Sequence, residues 1–318
     1  MTTSTWTSRG HLLDLETLSS AQLRALVDDA ESFLPIVQGT MPDVPMLEGS
    51  VIANLFLENS TRTRVSFSVA AHRLGARVVD LLGSSSSTSK GESLVDTASN
   101  IAAMGVDGIV VRCSASGGAA LIAEHVEVPV INAGDGRHEH PTQGLLDLMT
   151  LLQHFGGELA GRSVAIVGDI ASSRVARSNL WSLTAMGADV VLVGPSSLVP
   201  AEFESIVPVG PDRGAVSISH DLDAVLESVD ALMMLRIQFE RHDGDGIPDD
   251  YRERFGLDVD RAGRLSEGVP VLHPGPINRG LELAPEVADG PHSLILRQVT
   301  NGVAVRMAVL AGLLASDG

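Results

Sequence analysis

The sequence predicts an α/β protein with two domains of similar size, each a mostly parallel sheet flanked by helices. Short runs rich in valine and isoleucine alternate with longer amphipathic segments, which is typical of βαβ units. A glycine-rich stretch at residues 156–161 separates two such series. The chain has 318 residues, of which 44% are hydrophobic and only 3% aromatic. Its cores must therefore be built mainly from Ala, Val, Leu and Ile.

The first series predicts the first domain. We predict helices at residues 12–37, 65–74, 93–104 and 144–155. We predict strands at residues 51–57, 77–82, 107–112 and 128–132. Ser19 or Ser20 could cap the main part of the first helix, and Gly75 is a plausible C-terminal cap of the second.

The second series predicts the second domain. Strands are expected at residues 163–167, 189–193, 231–236 and 269–272, with a helix at 175–186. This series lacks the Gly-x-Gly-x-x-Gly pattern, so we predict no dinucleotide site. An apolar helix at 298–314 is long enough to pack back on the first domain. We therefore expect residues 1–150 and 292–318 to form one domain and residues 151–291 the other.

The composition argues against nucleic-acid and membrane partners. A net charge of −18 disfavours binding to DNA and to anionic membranes. No run approaches the ~18 consecutive apolar residues of a membrane span, and the first 15 residues lack the apolar core of a signal peptide. Cys113 is the only cysteine, which excludes a disulfide framework and a cysteine-based zinc site. We therefore expect a soluble, cytoplasmic protein.

Residues 58–64, which follow the first predicted strand, read Glu-Asn-Ser-Thr-Arg-Thr-Arg. A strand, a short polar loop and a helix start present free backbone N–H groups and a positive dipole end to an anion. Ser60 and Thr61 are natural N-cap residues, and Arg62 and Arg64 carry paired donors that fit phosphate oxygens. The segment predicts a phosphate site. An ordinary capped helix with solvated arginines is the alternative.

Lys90 is the only lysine among the 22 basic residues. It follows a Gly/Ser-rich stretch at residues 83–89, which cannot pack a core and which we expect to be a mobile surface loop. A lysine in a chain that otherwise uses arginine indicates a need for a compact ammonium group with a tunable pKa. A plain flexible linker is the alternative.

Other polar side chains follow the predicted strands. Arg112 ends a buried strand, and ligands of open α/β sheets bind at that end; a surface arginine is the alternative. The full set suits a small substrate with several negative charges: Arg62, Thr63, Lys90, Arg112, His140, Gln143, Arg174 and Arg236. No covalent nucleophile is indicated, because Gly-x-Ser-x-Gly is absent and Cys113 has no base nearby in the sequence.

Two segments could suggest a metal. Residues 243–250 read Asp-Gly-Asp-Gly-Ile-Pro-Asp-Asp, but the distal glutamate of a calcium-binding loop is missing. His138 and His140 alternate without other clustered ligands. We therefore expect a polar surface loop in the first case and no metal in either.

Four motifs in order carry a family resemblance: Ser-Thr-Arg-Thr-Arg at 60–64, Ser-Lys-Gly-Glu at 89–92, His-Pro-Thr-Gln at 140–143 and His-Pro-Gly-Pro at 273–276. Together they resemble the catalytic chains of aspartate carbamoyltransferases, within the aspartate/ornithine carbamoyltransferase superfamily. The resemblance covers essentially the whole chain. Ornithine-specific relatives carry His-Cys-Leu-Pro where this chain has His-Pro-Gly-Pro, and residues 235–241 also resemble the aspartate type.

The resemblance implies transfer of a carbamoyl group from carbamoyl phosphate to the amine of L-aspartate, in pyrimidine biosynthesis. The implied catalytic residues are Arg62, Thr63, Lys90, Arg112 and His140. The implied carbamoyl phosphate site comprises Ser60, Thr61, Arg62, Thr63, Ser86, Arg112, His140, Gln143, Gly275 and Pro276. The implied aspartate site comprises Lys90, Arg174, Arg236 and Gln238. No metal or organic cofactor is implied.

The resemblance also implies an assembly. Ser86 and Lys90 would reach the active site of a neighbouring subunit, so a homotrimer with shared active sites is the expected unit. The two domains would close on the substrates, with Glu58 pairing with Arg174 and Arg241. A separate regulatory chain or a dihydroorotase partner is compatible with the sequence.

Two other functions stay open at this point. One is a carbamoyltransferase with another amino-acid acceptor, such as ornithine. The other is a catalytically silent homologue that serves as a scaffold. A silent homologue predicts losses at Arg62, Lys90, Arg112 or His140, and all four residues are present.

Overall fold

The structure is a computed structural model that describes residues 10–83, 92–239 and 247–315. The chain divides into two compact units. The first unit comprises Met1–Leu146 and Val299–Gly318, and the second comprises Asp147–Gln298. The sequence predicts boundaries after residues 150 and 291. The first lies within the helix Pro141–His154, and the second lies just before the helix Ile295–Leu314. In the structure, each of these two helices is divided between the units.

The first unit is built on a four-stranded parallel sheet with the strand order β2-β1-β3-β4. Its strands are β1 Val51–Phe56, β2 Arg77–Leu82, β3 Gly108–Cys113 and β4 Val130–Asp135. Its helices are α1 Ser20–Val37, α2 Thr61–Arg73, α3 Leu94–Ala103, α4 Gly118–Ala123 and the start of α5 Pro141–His154. The central strands β1 and β3 are almost wholly buried, as expected for a parallel sheet covered on both faces.

The second unit is built on a five-stranded parallel sheet with the strand order β7-β6-β5-β8-β9. Its strands are β5 Ser163–Val167, β6 Asp189–Val193, β7 Val216–Ser219, β8 Ala231–Met234 and β9 Val271–Leu272. Its helices are α6 Arg174–Ala185, α7 Tyr251–Phe255, α8 Val259–Ala262 and α9 Pro285–Ala288, with a 3-10 helix at Ala201–Ser205. Aliphatic side chains of β5, β6 and β8 form the centre of its core.

The C-terminal helix α10, Ile295–Leu314, joins the first unit from Val299 onward. Arg306 Nη1 donates to Ser66 Oγ at 2.9 Å, and its guanidinium lies 5.1 Å from the ring centre of Phe67. Leu314 lies against Gly108 of β3, where a Cβ atom would come within 3.0 Å of it. The predicted fold class, including the return of this helix to the first domain, is confirmed.

Several predicted element bounds are wrong. The first helix begins at Ser20, capped by Ser19, and not at residue 12. Leu12 instead donates its N–H to the Val130 carbonyl at 3.0 Å and forms a parallel bridge with Ile131 of strand β4. The strand predicted at 231–236 ends at Met234. The short elements α4 and β7 carry too few periodic residues to be recognised from the sequence.

Within residues 10–83, 92–239 and 247–315, no helix is both long and apolar enough to span a bilayer. In the same ranges, no group of three or more His, Cys, Asp or Glu side chains could hold a metal ion.

Candidate active site

In the first unit the candidate residues lie where the strand order reverses. The chain passes from β1 to β2 on one side of the sheet and from β3 to β4 on the other. In open α/β sheets, ligands bind beyond the carboxyl ends of the strands at such a switch point. Residues 58–63 follow β1, and Arg112 lies at the end of β3. The topology therefore brings these two segments to the same edge of the sheet.

The predicted phosphate loop leads directly into helix α2. Ser60 occupies the N-cap position, but its side chain makes no capping hydrogen bond. Thr61 and Arg62 are exposed, and Thr63 is half-buried. The first N–H groups of a 13-residue helix and its positive dipole end are thus available to an anion.

Arg64 differs from Arg62 although it lies only two residues away. Its guanidinium forms an ion pair with Asp80 on strand β2. Asp80 also accepts a hydrogen bond from Asn54 Nδ2 at 2.8 Å. Arg64 therefore ties helix α2 to the sheet, and the sequence-based expectation that both arginines would face the phosphate is wrong for Arg64.

Arg112 lies at an irregularity of the sheet. The β3–β4 register shifts between Val111 and Cys113, and such shifts redirect a side chain. Arg112 Nη1 donates to the Ala133 carbonyl at 3.2 Å, and Arg112 Nε lies 3.5 Å from Glu58 Oε2. Glu58 therefore pairs with the candidate phosphate ligand of its own unit. Arg241, one of its two predicted partners, lies outside the described residues.

His140 and Gln143 lie at the start of helix α5. The helix begins at Pro141, three residues before its predicted start, and proline at a first helical position is a signal that sequence reasoning missed. His140 and Gln143 are 4% and 8% exposed. Both follow β4, whose carboxyl end meets the same sheet edge as those of β1 and β3.

Asp135 organises the loop between β4 and His140. Its carboxylate accepts hydrogen bonds from the Gly117 N–H at 2.7 Å and the Glu139 N–H at 3.1 Å. It also contacts His138 Nδ1 at 3.1 Å, and this hydrogen bond raises the pKa of His138. Glu139 is fully buried and accepts hydrogen bonds from the Leu15 N–H at 3.0 and 3.1 Å. The backbone before His140 is thus held from both sides.

The second unit repeats the arrangement with different residues. Its strand order reverses between β5 and β8. The loop after β5 ends at Arg174, which is the first residue of α6 and is 7% exposed. The segment after β8 contains Arg236 and Gln238, and Gln238 Nε2 lies 3.4 Å from the Ser172 carbonyl. The three predicted aspartate ligands described by the structure therefore lie at one switch point.

Gly168 allows these two segments of the second unit to approach each other. Its φ of +136° is a conformation that favours glycine. A Cβ atom there would lie 3.1 Å from Leu235 Cβ. The close approach of the β5 and β8 loops therefore requires glycine at this position.

The His-Pro-Gly-Pro turn follows β9. Pro274 and Gly275 are half-buried and Pro276 is exposed, whereas His273 and Glu282 are fully buried. Nearby, burial raises the pKa of the Tyr251 hydroxyl, and the charges of Glu282 and Asp169 raise it further. Glu282 was missed by sequence reasoning, because a single glutamate in a loop carries no pattern. Ser86 and Lys90 lie outside the described residues.

The chain matches two family profiles that together cover most of its length. Residues 10–153 match the family profile "Aspartate/ornithine carbamoyltransferase, carbamoyl-P binding domain". Residues 160–313 match the profile "Aspartate/ornithine carbamoyltransferase, Asp/Orn binding domain". A Myxococcus xanthus protein named aspartate carbamoyltransferase catalytic subunit is 51% identical over 302 residues, covering 94% of this chain and 98% of that protein.

Two solved structures share the backbone. Aspartate transcarbamoylase from Trypanosoma cruzi, in complex with carbamoyl phosphate and aspartate, gives a TM-score of 0.90 at 29% identity and covers 99% of both chains. Ornithine carbamoyltransferase from Pyrococcus furiosus gives a TM-score of 0.86 at 28% identity, covering 97% of this chain and 98% of that one. The backbone therefore resembles both acceptor types, whereas the sequence is much more similar to the Myxococcus protein.

Proposed function

This chain belongs to the aspartate/ornithine carbamoyltransferase family, and we propose that it transfers the carbamoyl group of carbamoyl phosphate to L-aspartate. The products are N-carbamoyl-L-aspartate and phosphate, as in de novo pyrimidine biosynthesis. The family predicted from the four motifs is confirmed. The observation that carries the choice of aspartate is the 51% identity to an aspartate carbamoyltransferase catalytic subunit along almost the whole chain.

We assign carbamoyl phosphate to the first unit. The phosphate binds the N-terminal N–H groups of α2, the hydroxyls of Ser60, Thr61 and Thr63, and the guanidiniums of Arg62 and Arg112. Ser86 adds a further contact. What supports this is a 13-residue helix whose dipole and first-turn N–H groups favour an anion, next to half-buried Arg112.

Thr63, Arg112 and His140 act on the carbonyl oxygen of the carbamoyl group. As the aspartate nitrogen attacks the carbon, that oxygen gains negative charge. Donors aimed at it stabilise the tetrahedral intermediate, each by about 3–4 kcal/mol in other acyl transfers. The burial of His140, at 4% exposure, supports this role because a hydrogen bond is stronger where water is excluded. Gln143 and the backbone carbonyls near Pro274 and Gly275, in the turn that ends at Pro276, bind the carbamoyl NH2 group.

The second unit binds aspartate. Arg174 and Arg236 pair with its two carboxylates, and Gln238 adds a hydrogen bond. An ornithine side chain would instead need an acidic contact for its amine. The C–N bond forms, the C–O bond to phosphate breaks, and phosphate leaves with the electron pair. The departing phosphate accepts the proton from the attacking amine, so the reaction needs no protein base and no metal or organic cofactor.

We further propose a homotrimer in which Lys90 and Ser86 enter the site of a neighbouring subunit. The edge strand β2, just before residues 84–91, exposes Val79 and Leu82 by 46% each, and Val65 on α2 is 47% exposed. A second copy of the chain would cover these side chains. We also propose a cytoplasmic location, which is compatible with a single, buried cysteine, Cys113, that forms no disulfide.

A regulatory chain or a dihydroorotase would be a further partner. The name "catalytic subunit" of the Myxococcus protein supports this extension. Co-purification and the mass of the native complex test it; a homotrimer alone, in a lysate of the source organism, would contradict it.

The function is tested with the purified protein and carbamoyl phosphate. We expect N-carbamoyl-L-aspartate with aspartate and no product with ornithine. Citrulline formation from ornithine would replace the aspartate proposal by the ornithine one. A folded trimer that forms neither product would contradict both and favour the scaffold function.

A further inference from the structure

The buried pair of His273 and Glu282 has a fixed hydrogen-bond direction. Both side chains are 0% exposed, and His273 Nε2 lies 3.2 Å from Glu282 Oε1. On the other side of the ring, the Gly275 N–H donates to His273 Nδ1 at 2.8 Å. Because Nδ1 accepts a hydrogen bond, it carries no proton, and the ring proton lies on Nε2, toward Glu282. The neutral ring can satisfy both contacts in one tautomer alone.

The Gly275 N–H is the one backbone donor of the Pro274-Gly275-Pro276 turn, because proline has no N–H. The His273 ring therefore accepts from the only N–H of this turn through which a hydrogen bond can orient its peptide groups. Gly275 has a φ of +65°, a conformation that glycine adopts readily. Because a peptide group is planar, the hydrogen bond that fixes the Gly275 N–H also fixes the Pro274 carbonyl of the same peptide group.

Glu282 holds a second point of the same segment. Its Oε1 accepts the Asn278 N–H at 2.6 Å in addition to His273 Nε2. Asn278 Nδ2 in turn donates to the Ile237 carbonyl at 3.2 Å, between Arg236 and Gln238. One buried carboxylate oxygen thus fixes both ends of residues 273–278 and connects them to the segment after β8.

The backbone of His273 is anchored separately. Its N–H donates to Gln298 Oε1 at 3.0 Å, and Gln298 Nε2 donates to Asp147 Oδ1 at 2.6 Å. Asp147 Oδ2 accepts from Asn179 Nδ2 on α6 at 2.8 Å. These hydrogen bonds hold the backbone of His273, the residue before the turn. The His273 ring is the part of this residue that contacts the turn.

We propose that Glu282 and His273 are positioning residues for the carbamoyl group. Glu282 fixes the His273 tautomer, and His273 sets the direction of the carbonyls at Pro274 and Gly275 that accept hydrogen bonds from the carbamoyl NH2. This inference rests on the proposed function. It adds two residues that touch no substrate but determine how carbamoyl phosphate is oriented for attack.

A purely structural role predicts a different pattern of effects. Loss of a buried polar pair lowers stability wherever it lies. A positioning role additionally lowers kcat and raises the KM for carbamoyl phosphate in variants that remain folded, because a small misplacement of a bound group slows its reaction. The two roles are separated by kinetics of folded variants and by the protonation of the ring.

The test compares four variants of the full-length protein, with folding checked by circular dichroism and thermal melting. Glu282→Gln keeps an acceptor oxygen for both donors, whereas Glu282→Ala removes it. His273→Asn keeps an acceptor near Nδ1 for Gly275, whereas His273→Gln keeps a donor near Nε2 for Glu282. We expect Glu282→Gln to stay within about threefold of the unsubstituted kcat/KM for carbamoyl phosphate, and Glu282→Ala to lose up to about 100-fold.

His273→Asn should retain more activity than His273→Gln, because the contact with Gly275 is the one that acts on the turn. A folded Glu282→Ala protein with unsubstituted kinetics would overturn the proposal, and so would equal losses in Glu282→Gln and Glu282→Ala. If Glu282→Ala does not fold, the two His273 variants decide, and equal activities there would overturn it.

A second measurement does not depend on turnover. With 15N-labelled histidine, the ring signals absent from the His273→Gln spectrum should report a protonated Nε2 and an unprotonated Nδ1. A protonated Nδ1 would overturn the proposal even in an active enzyme. If the unsubstituted protein makes no N-carbamoyl-L-aspartate, the proposed function fails, and the ring protonation still tests the hydrogen-bond direction on its own.

Discussion

The two units use the same sheet topology but hold their candidate ligands in different ways. In the first unit the candidate ligands Thr61 and Arg62 are exposed at a helix start, and Arg112 forms an ion pair with Glu58. In the second unit, Arg174 is buried and the surrounding loops are joined by a chain of buried hydrogen bonds through His273 and Glu282. One site depends mainly on charge and helix dipoles, and the other on internal positioning.

This difference has a physical reason in the proposed ligands. Phosphate is a compact anion that a helix start and two guanidiniums bind from several directions. In our proposals the second unit holds aspartate and, through the turn after β9, the carbamoyl NH2 group, and both must be kept in one orientation for attack. Fixed loops serve that requirement better than exposed, mobile side chains do.

We expect the largest effect on activity from Arg62 on helix α2, and a much smaller one from Arg64 on the same helix. We expect Arg62→Ala to lower kcat by about 10²- to 10³-fold, the cost of removing one charge-stabilising donor. Arg64→Ala is the matched control, because Arg64 pairs with Asp80 and not with the ligand. It should stay within about threefold of the unsubstituted activity and lose no more than about 1 kcal/mol of stability.

Steady-state kinetics and urea unfolding of both variants check this prediction. Equal losses of activity at the two positions would mean that the charge of the whole helix start matters, and not one guanidinium. The first unit would still bind phosphate mainly by electrostatics, but through the whole helix start and not through Arg62 in particular.

How far the sequence predicts these features depends on the residues involved. Ser60 to Thr63 and Arg112 are predicted as candidates because they lie at or just after the ends of apolar strands, and strand ends are visible as breaks in a pattern. The start of α5 at Pro141 was readable from the proline but was placed too late. The role of Arg64 was not readable, because its partner Asp80 lies 16 residues away and becomes a neighbour only through the β1–β2 pairing.

The buried network of the second unit could not be predicted at all. His273 belongs to a motif, but its partners Glu282, Gln298 and Asp147 follow no sequence pattern that would connect them to it. Their contacts arise from tertiary packing, which overrides local pattern. The sequence therefore reveals residues that touch a ligand more readily than residues that position them.

An intermediate effect is expected at Arg236 in the second unit. Arg236→Ala should raise the KM for aspartate by about 10- to 100-fold, as expected for loss of a hydrogen bond between charged groups. It should leave the affinity for phosphate, measured by isothermal titration calorimetry, unchanged. Arg62→Ala should show the reverse, with weaker phosphate binding, so the pair tests whether each unit serves one substrate.

A loss of phosphate affinity in Arg236→Ala would break the comparison between the units. Arg236→Lys is the control for charge alone, because lysine keeps the cation but lacks the paired donors of arginine. It should recover part of the aspartate affinity. Full recovery of the aspartate affinity in Arg236→Lys would show that the positive charge at this position matters more than the paired donors of arginine.

The smallest effect that we expect is a dependence of thermal stability on pH, caused by His138 in the first unit. The hydrogen bond to Asp135 raises the pKa of His138 above its ordinary value of 6.5. The protonated ring therefore stabilises the fold fully below about pH 6.5, and this contribution is lost as the pH rises through the higher pKa of the folded state. The Tm should fall by no more than about 3 °C between pH 6 and pH 8 on this account, because the ring is 35% exposed.

His138→Gln should remove that part of the pH dependence, since glutamine does not titrate. His125 is exposed, and its Nδ1 lies 2.8 Å from the Leu121 carbonyl. His125→Gln, the same substitution at a position away from Asp135, is the matched control for the effect of the substitution itself. An unchanged slope in His138→Gln would mean that Asp135 holds the loop before His140 through its backbone contacts alone. The first unit would then resemble the second, with positioning by fixed hydrogen bonds and not by charge.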